Sequence, residues 1–303
     1  MSEPSSVSPP RTAKKRRSGE TSVPTRPNSE AQPFLKWAGG KGQLLAQFDR
    51  FLPESIDRYL EPFVGGGAVF FHLKQRFPGM RAFLRDNNSE LVNVYAAVRD
   101  FPEELMRQLD AHLERYRADR EGYYYFVRSQ HHLPLTQIVE RAARMIFLNK
   151  TCFNGLYRVN GRGEFNVPIG SHTNPALYDR ANILATSAAL RDVQLATQDF
   201  RDTMNEARPG DFVYIDPPYV PVSRTASFTS YTKEDFGQEE QRELAALCAD
   251  LARRGVRFML SNSDIVFVRR LYGNFTINTV RARRAINCNG SKRGHVNEVV
   301  VTN

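Results

Sequence analysis

From Arg58 to Asp86 the chain reads as a strand, a glycine turn, a helix and a second strand. The segments are Tyr59-Leu60-Glu61-Pro62-Phe63, then Val64-Gly65-Gly66-Gly67, then Ala68 to Arg76 with Val69, Phe70 and Leu73 as a buried stripe, then Arg81 to Arg85. This is a βαβ unit. Two strands joined through one helix lie parallel with a right-handed crossover, and a parallel sheet needs helices on its faces. One such unit commits the chain to an α/β sheet.

Further strand-like segments are Val193–Thr197, Phe212–Ile215, Val256–Leu260, Phe275–Val280 and Val296–Val301, with helical patterns over Tyr178–Leu190, Glu239–Arg254 and Ile265–Leu271. Such alternation indicates a doubly wound sheet. No helix separates the last two strands, so a closing hairpin should add one antiparallel strand. The expected fold is α/β, a Rossmann-like sheet, mostly parallel with one antiparallel strand. Between about Arg99 and His172 the alternation breaks. Long helical patterns, Pro102–Arg117 and Ile138–Lys150, precede Leu156-Tyr157-Arg158-Val159, Asn160-Gly161 and Phe165-Asn166-Val167, where Asn-Gly between strand-like runs marks a turn. Residues 99–175 are thus expected to form a smaller, mainly helical insert with a β-hairpin, between parts 33–98 and 176–303 of the main domain.

Residues 1–32, rich in Ser, Pro, Thr, Arg and Lys, read as a disordered basic tail. Its six basic and three acidic side chains leave +6 of the net +9 on the rest of the chain, which favours a polyanionic partner. Lys14-Lys15-Arg16-Arg17 is compatible with an import signal, a DNA-binding arm or plain solvated charge. No apolar run approaches the ~20 residues of a membrane span. Cys152, Cys248 and Cys288 are far apart, which fits a reducing compartment, so a cytoplasmic protein away from membranes is expected. The six histidines lack zinc-site spacing, and no metal is expected.

Asp216-Pro217-Pro218-Tyr219 directly follows the apolar strand Phe212–Ile215, at the carboxyl end of a strand, where open α/β sheets bind ligands. The amine of adenine is a poor nucleophile because its lone pair is delocalised into the ring. Acceptors facing its two hydrogens would localise that pair and stabilise the positive charge of an incoming methyl group. Asp216 offers one acceptor and the Pro217 carbonyl another, while Tyr219 could stack on the base and the prolines remove competing donors. The same four residues could also simply end a strand with a turn.

Gly65 and Gly67 start an incomplete dinucleotide fingerprint, because Phe70 stands at the third glycine's position, which counts against NAD or FAD. Asp86, nineteen residues after Gly67, is spaced for a carboxylate on ribose hydroxyls. A nucleoside cofactor without a pyrophosphate, S-adenosylmethionine, meets that description, and a tight turn with a cap at Asp86-Asn87-Asn88 is the other reading. Phe34-Leu35-Lys36-Trp37-Ala38-Gly39-Gly40-Lys41 is not a phosphate loop, since Leu35 replaces its first glycine and Gly42 its Ser or Thr. Its Trp and lysines could touch an adenosyl ring, a carboxylate or DNA.

In this order the three motifs resemble the Dam family of DNA adenine methyltransferases, from about Phe34 to Asn303. Leu148-Asn149-Lys150-Thr151-Cys152-Phe153-Asn154-Gly155-Leu156-Tyr157-Arg158, Gly163-Glu164-Phe165-Asn166-Val167-Pro168 and Ser261-Asn262-Ser263-Asp264 extend the resemblance. It implies a Rossmann-like methyltransferase sheet, S-adenosylmethionine as methyl donor, and transfer to a flipped adenine in GATC within double-stranded DNA by a monomer. It makes Asp216, Pro217 and Tyr219 catalytic. Trp37, Lys41, Asp86, Phe200 and Asp216 would contact the cofactor with Gly65 and Gly67, and Lys36, Phe153, Asn154, Leu156, Arg158 and Pro168 the DNA. An Arg on a hairpin can read guanine with two hydrogen bonds and an aromatic can fill the gap of a flipped base, although Phe153 and Leu156 also suit core packing. His172 departs from the pattern, standing where some members carry a DNA-contacting Tyr. Arg281, Arg283, Arg284, Lys292 and Arg293 form a basic cluster suited to phosphate or to solvent.

Three other readings stay open at this level. One is a methyltransferase for another planar amine, such as cytosine or an RNA adenine, against which Asp216 speaks. Another is a silent DNA-binding regulator on a methyltransferase scaffold, against which Lys41, Asp86 and Tyr219 speak. A nucleotide-dependent oxidoreductase is weakened by the broken fingerprint.

Overall fold

The computed structural model describes residues 30–219, 236–283 and 295–303. The proposed basic tail, most of it before residue 30, lies outside the described residues, as do Arg284, Lys292 and Arg293. After a short helix α1 (Leu45–Phe48), β1 (Arg58–Glu61), α2 (Ala68–Arg76) and β2 (Arg81–Asp86) form the βαβ unit. Then come α3 (Ser89–Asp100), α4 (Pro102–Ala118), α5 (Arg120–Ser129), α6 (Ile138–Thr151) and α7 (Arg180–Leu190). The rest of the sheet is β3 (Gln194–Thr197), β4 (Phe212–Ile215), β5 (Arg257–Ser263), β6 (Thr276–Arg283) and β7 (His295–Thr302), with α8 (Phe200–Asn205), α9 (Gln238–Arg253) and α10 (Val266–Leu271) between them.

The sheet order is β3-β2-β1-β4-β5-β7-β6. Pairings among β1 to β5 are parallel, and β7 runs antiparallel to both β5 and β6. The fold is therefore the expected α/β, Rossmann-like sheet, mostly parallel with one antiparallel strand. Successive residues of the central strands face opposite sides, as the two-residue period of a strand requires. Tyr59, Phe212, Tyr214, Met259 and Val300 join one hydrophobic core, and Leu60, Val213, Ile215, Phe258, Val299 and Val301 the other. The second core is closed by α8, α9 and α10.

The first core runs without a break from the sheet into the segment expected to be an insert. Leu91, Val94, Tyr95 and Val98 form a helical stripe on α3, which packs on α6. From Ala142 to Asn149 nearly every side chain of α6 is buried, so α6 is the central helix, with α4 and α5 packed on it. Asn88 starts α3 by accepting from the backbone N–H groups of Glu90 at 3.1 Å and Leu91 at 3.2 Å. Such a cap contributes about 1 kcal/mol. The hairpin at Asn160 is not a ladder: the single bridge Val159–Phe165 closes it, and Gly163, at φ +80°, takes the left-handed position of its turn in place of Gly161. Five residues are needed because the Asn160 side chain accepts from the backbone of Arg162 and Glu164 and so fills the turn.

Candidate active site

The order of the sheet turns between β1 and β4, the point where connections leave to opposite sides and open α/β sheets keep a crevice. A cavity lies there. Glu61 ends β1, Asp86 ends β2, Asp216 follows β4, and all three line it together with Trp37, Lys41, Gly65, Gly67, Pro217 and Tyr219.

The glycine turn is shaped from both sides. Gly65 and Gly67 have φ of +48° and +68°, where L side chains are strained. A Cβ on Gly65 would fall 2.9 Å from the Trp37 indole, and one on Gly67 2.6 Å from the Tyr95 hydroxyl. Tyr95 donates from that hydroxyl to the Gly65 carbonyl at 3.0 Å. Asp86 accepts from the N–H of Gly65 at 3.1 Å and of Asn88 at 3.0 Å. Burial lifts its carboxyl to about 6, against the pull of these two N–H groups.

Asp216 divides its two oxygens. Oδ2 accepts from Lys41 Nζ at 2.7 Å. Lys41, only 4% exposed, also donates to the Gly39 carbonyl at 2.6 Å and lies 4.8 Å from the centre of the Tyr219 ring. Oδ1 is buried and has no hydrogen-bond partner among the described residues. Leaving a buried acceptor unpaired costs roughly 1–3 kcal/mol, so an orphan at the wall of a cavity is an acceptor held for a donor. Burial raises the Asp216 carboxyl to about 6, with Lys41 opposing the rise and Glu298 adding to it.

Residues far off in sequence hold the motif's backbone and ring. Gln241, on α9, donates to the Pro218 carbonyl at 3.0 Å and accepts from the Asn262 side chain at 3.0 Å, both residues being buried. Tyr219 donates to Glu298 Oε2 at 2.7 Å. Glu61 accepts from the Tyr59 hydroxyl at 2.8 Å, and burial raises its carboxyl far above the usual range. Glu61 had a sequence signal, an acid ending a strand before a glycine turn. Glu298 and Gln241 had none, because only the sheet brings β7 and α9 to the motif. Phe200 does not line the cavity: it is buried at the start of α8 and stacks on Phe63, which does line it, with centroids 5.4 Å apart.

Of the six residues assigned to DNA by resemblance, Lys36 precedes Trp37 of the cavity wall and the other five lie on the segment after α6. Phe153 and Asn154 follow α6 directly, both exposed, with Asn154 at φ +56°. The Phe153 N–H donates to the Pro168 carbonyl at 2.9 Å, which joins the two ends of the loop. Arg158 is exposed and donates from Nε to Asn166 Oδ1 at 2.7 Å, while Leu156 is half-buried against the core. The backbone of Lys36 is tied to the buried side chain of Asn149 by two hydrogen bonds, of 2.9 and 2.7 Å. Arg281, on β6, is exposed, and its backbone is bonded to Gln47. Among the described residues, no group of three or more His, Cys, Asp or Glu side chains is placed to hold a metal ion, and no helix is long and apolar enough to cross a membrane.

A family model described as D12 class N6 adenine-specific DNA methyltransferase matches residues 37–286. The chain is 43% identical over 276 residues to a type II methyltransferase, M.MjaIII, of Methanocaldococcus jannaschii, covering 87% of this chain and 96% of that one. It is 41% identical over 277 residues to the type II methyltransferase M1.LlaDCHI of Lactococcus lactis subsp. cremoris, covering 90% and 95%. To a DNA adenine methylase of Escherichia coli (strain K12) it is 35% identical over 267 residues, covering 88% and 93%.

Proposed function

The chain belongs to the D12 class of N6 adenine-specific DNA methyltransferases, and from that premise we propose that it methylates the adenine of GATC after flipping that base out of double-stranded DNA. The observation that carries the mechanism is the orphaned Oδ1 of Asp216. An adenine amine brings two donors and no free acceptor. Asp216 Oδ1 accepts a hydrogen bond from one amine N–H and the Pro217 carbonyl from the other, so the nitrogen lone pair turns out of the ring plane toward the methyl donor; the amine, cationic once methylated, then loses one N–H proton to solvent. Gln241 occupies the neighbouring Pro218 carbonyl and steadies the turn that presents Pro217. Tyr219 stacks on the base, its ring anchored through Glu298. Lys41 keeps Asp216 ionised despite burial.

The residues present fit S-adenosylmethionine, which when bound supplies an electrophilic methyl group. Asp86 offers a buried carboxylate for ribose hydroxyls, Trp37 an aromatic face for the adenosyl ring, and Gly65 and Gly67 a turn without side chains. Lys36, Phe153, Asn154, Leu156, Arg158 and Pro168, on residues 99–175 and the segment before the cavity, form the surface that reads the site. The name of one relative, a DNA adenine methylase, supports adenine in DNA as the acceptor.

The test is to incubate GATC-containing DNA with protein and S-adenosylmethionine, then challenge it with nucleases sensitive to adenine methylation. Protection is expected. Asp216→Ala should lose about 100- to 1000-fold in rate, the usual cost of removing one transition-state hydrogen-bond partner. An unprotected site would reject GATC, and near-normal activity in Asp216→Ala would reject the mechanism.

A further inference from the structure

Tyr157, on the loop after α6, touches Trp37 on the wall of the cavity. Its ring stacks on Trp37 with centroids 5.5 Å apart and planes 28° apart. The glycine turn is a second neighbour of Trp37: a Cβ on Gly65 would meet its indole at 2.9 Å and one on Gly66 its Cβ at 3.2 Å. Trp37 is thus held between the cofactor loop and Tyr157.

A second link runs alongside. The buried side chain of Asn149 bonds both backbone groups of Lys36 and, at 3.0 Å, the carbonyl of Gly155. A Cβ on Gly155 would come 2.5 Å from Lys36 Cδ, so the loop and the segment carrying Trp37 and Lys41 are in van der Waals contact. Moving the recognition loop therefore moves the indole or breaks these contacts.

We propose that Tyr157 is a positioning residue that couples DNA binding to cofactor binding: DNA fixes the loop, the loop fixes Trp37, and a fixed Trp37 binds the cofactor more tightly. The inference rests on the functional reading above, with the cofactor at Trp37 and DNA on residues 153–158. Coupling is reciprocal, so the cofactor must strengthen DNA binding by the same factor. Spatial continuity alone does not establish coupling, and the test therefore measures it directly.

The experiment is calorimetric titration of the full chain with S-adenosylhomocysteine, with and without a saturating GATC duplex, and of the duplex with and without S-adenosylhomocysteine. The wild type should show a coupling factor of about five or more, within the usual five- to 150-fold range. Tyr157→Phe, which keeps the ring, should retain most of it. Tyr157→Leu, which fills space without a stack, and Tyr157→Ala should bring the factor close to one while each ligand still binds alone. Trp37 is the sole tryptophan of the chain, so its emission should shift on adding duplex to wild type and not to Tyr157→Leu. Equal coupling in wild type and Tyr157→Leu, or no coupling in wild type, overturns the inference. Failure of the wild type to bind either ligand alone overturns the functional reading instead.

Discussion

Asp216 sits under opposing influences from Lys41 and Glu298, and its chemistry should report both. Methyl transfer needs the ionised carboxylate, so kcat should fall as pH drops below about 6. Glu298 favours the protonated form, and Glu298→Gln should move this acid limb to lower pH. Lys41 favours the ionised form, and Lys41→Met should move the limb to higher pH and lower kcat at neutral pH. A pH–rate profile of each variant checks both signs. Asp86 is also raised to about 6 but stands at the cofactor end. Its titration should appear in kcat/KM for the cofactor, and Glu298→Gln should leave that limb in place. A shift of the cofactor limb in Glu298→Gln would mean that the two carboxylates act as one coupled pair.

Among the elements, the glycine turn is where shape and function coincide. Gly65→Ala puts a Cβ against Trp37 at φ +48°. The left-handed backbone alone costs about 1–2 kcal/mol for an L residue. Denaturant unfolding should show at least that loss, and cofactor titration a weakened Kd because the indole must shift. This turn was legible in the sequence, as were all seven strands to within three residues at either end, because buried strands bounded by Gly and Asp carry a strong pattern. Asp216 and Asp86 could be placed at strand ends from the sequence, and both line the cavity, whereas Lys41 follows a glycine pair and its place beside Asp216 comes from the fold.

Less visible elements had weaker local signals. α5 is short and holds Tyr123, Tyr124, Tyr125 and Phe126, residues of modest helix propensity, so tertiary packing on α6 makes it helical. α8 has only six residues and an Asp199 cap. The Asn160 turn took five residues, a choice set by its own side-chain hydrogen bonds. Phe200 had an aromatic signature but sits one layer behind Phe63, a distinction only packing can make.

At the scale of the molecule, the cavity draws its walls from the sheet ends, the glycine turn and the 37–41 segment, so filling it should brace all three. A ligand at about 100 times its Kd adds roughly 2.7 kcal/mol to stability. For a protein of this size that corresponds to about 4–5 °C in Tm. S-adenosylhomocysteine should produce such a shift in a thermal melt, and Asp86→Ala should abolish it. An unchanged wild-type melt at saturating ligand would show that the cavity does not bind it in this way.

β7 lies between β5 and β6 and carries Glu298. During synthesis, then, β6 emerges with no neighbour to pair with, and Tyr219 waits for its anchor until residues 295–302 have cleared the ribosome. At ~5–20 residues per second that exposure lasts seconds, during which an open sheet edge is available to chaperones. A nascent chain should accordingly gain adenine-methylating capacity only once β7 has been delivered.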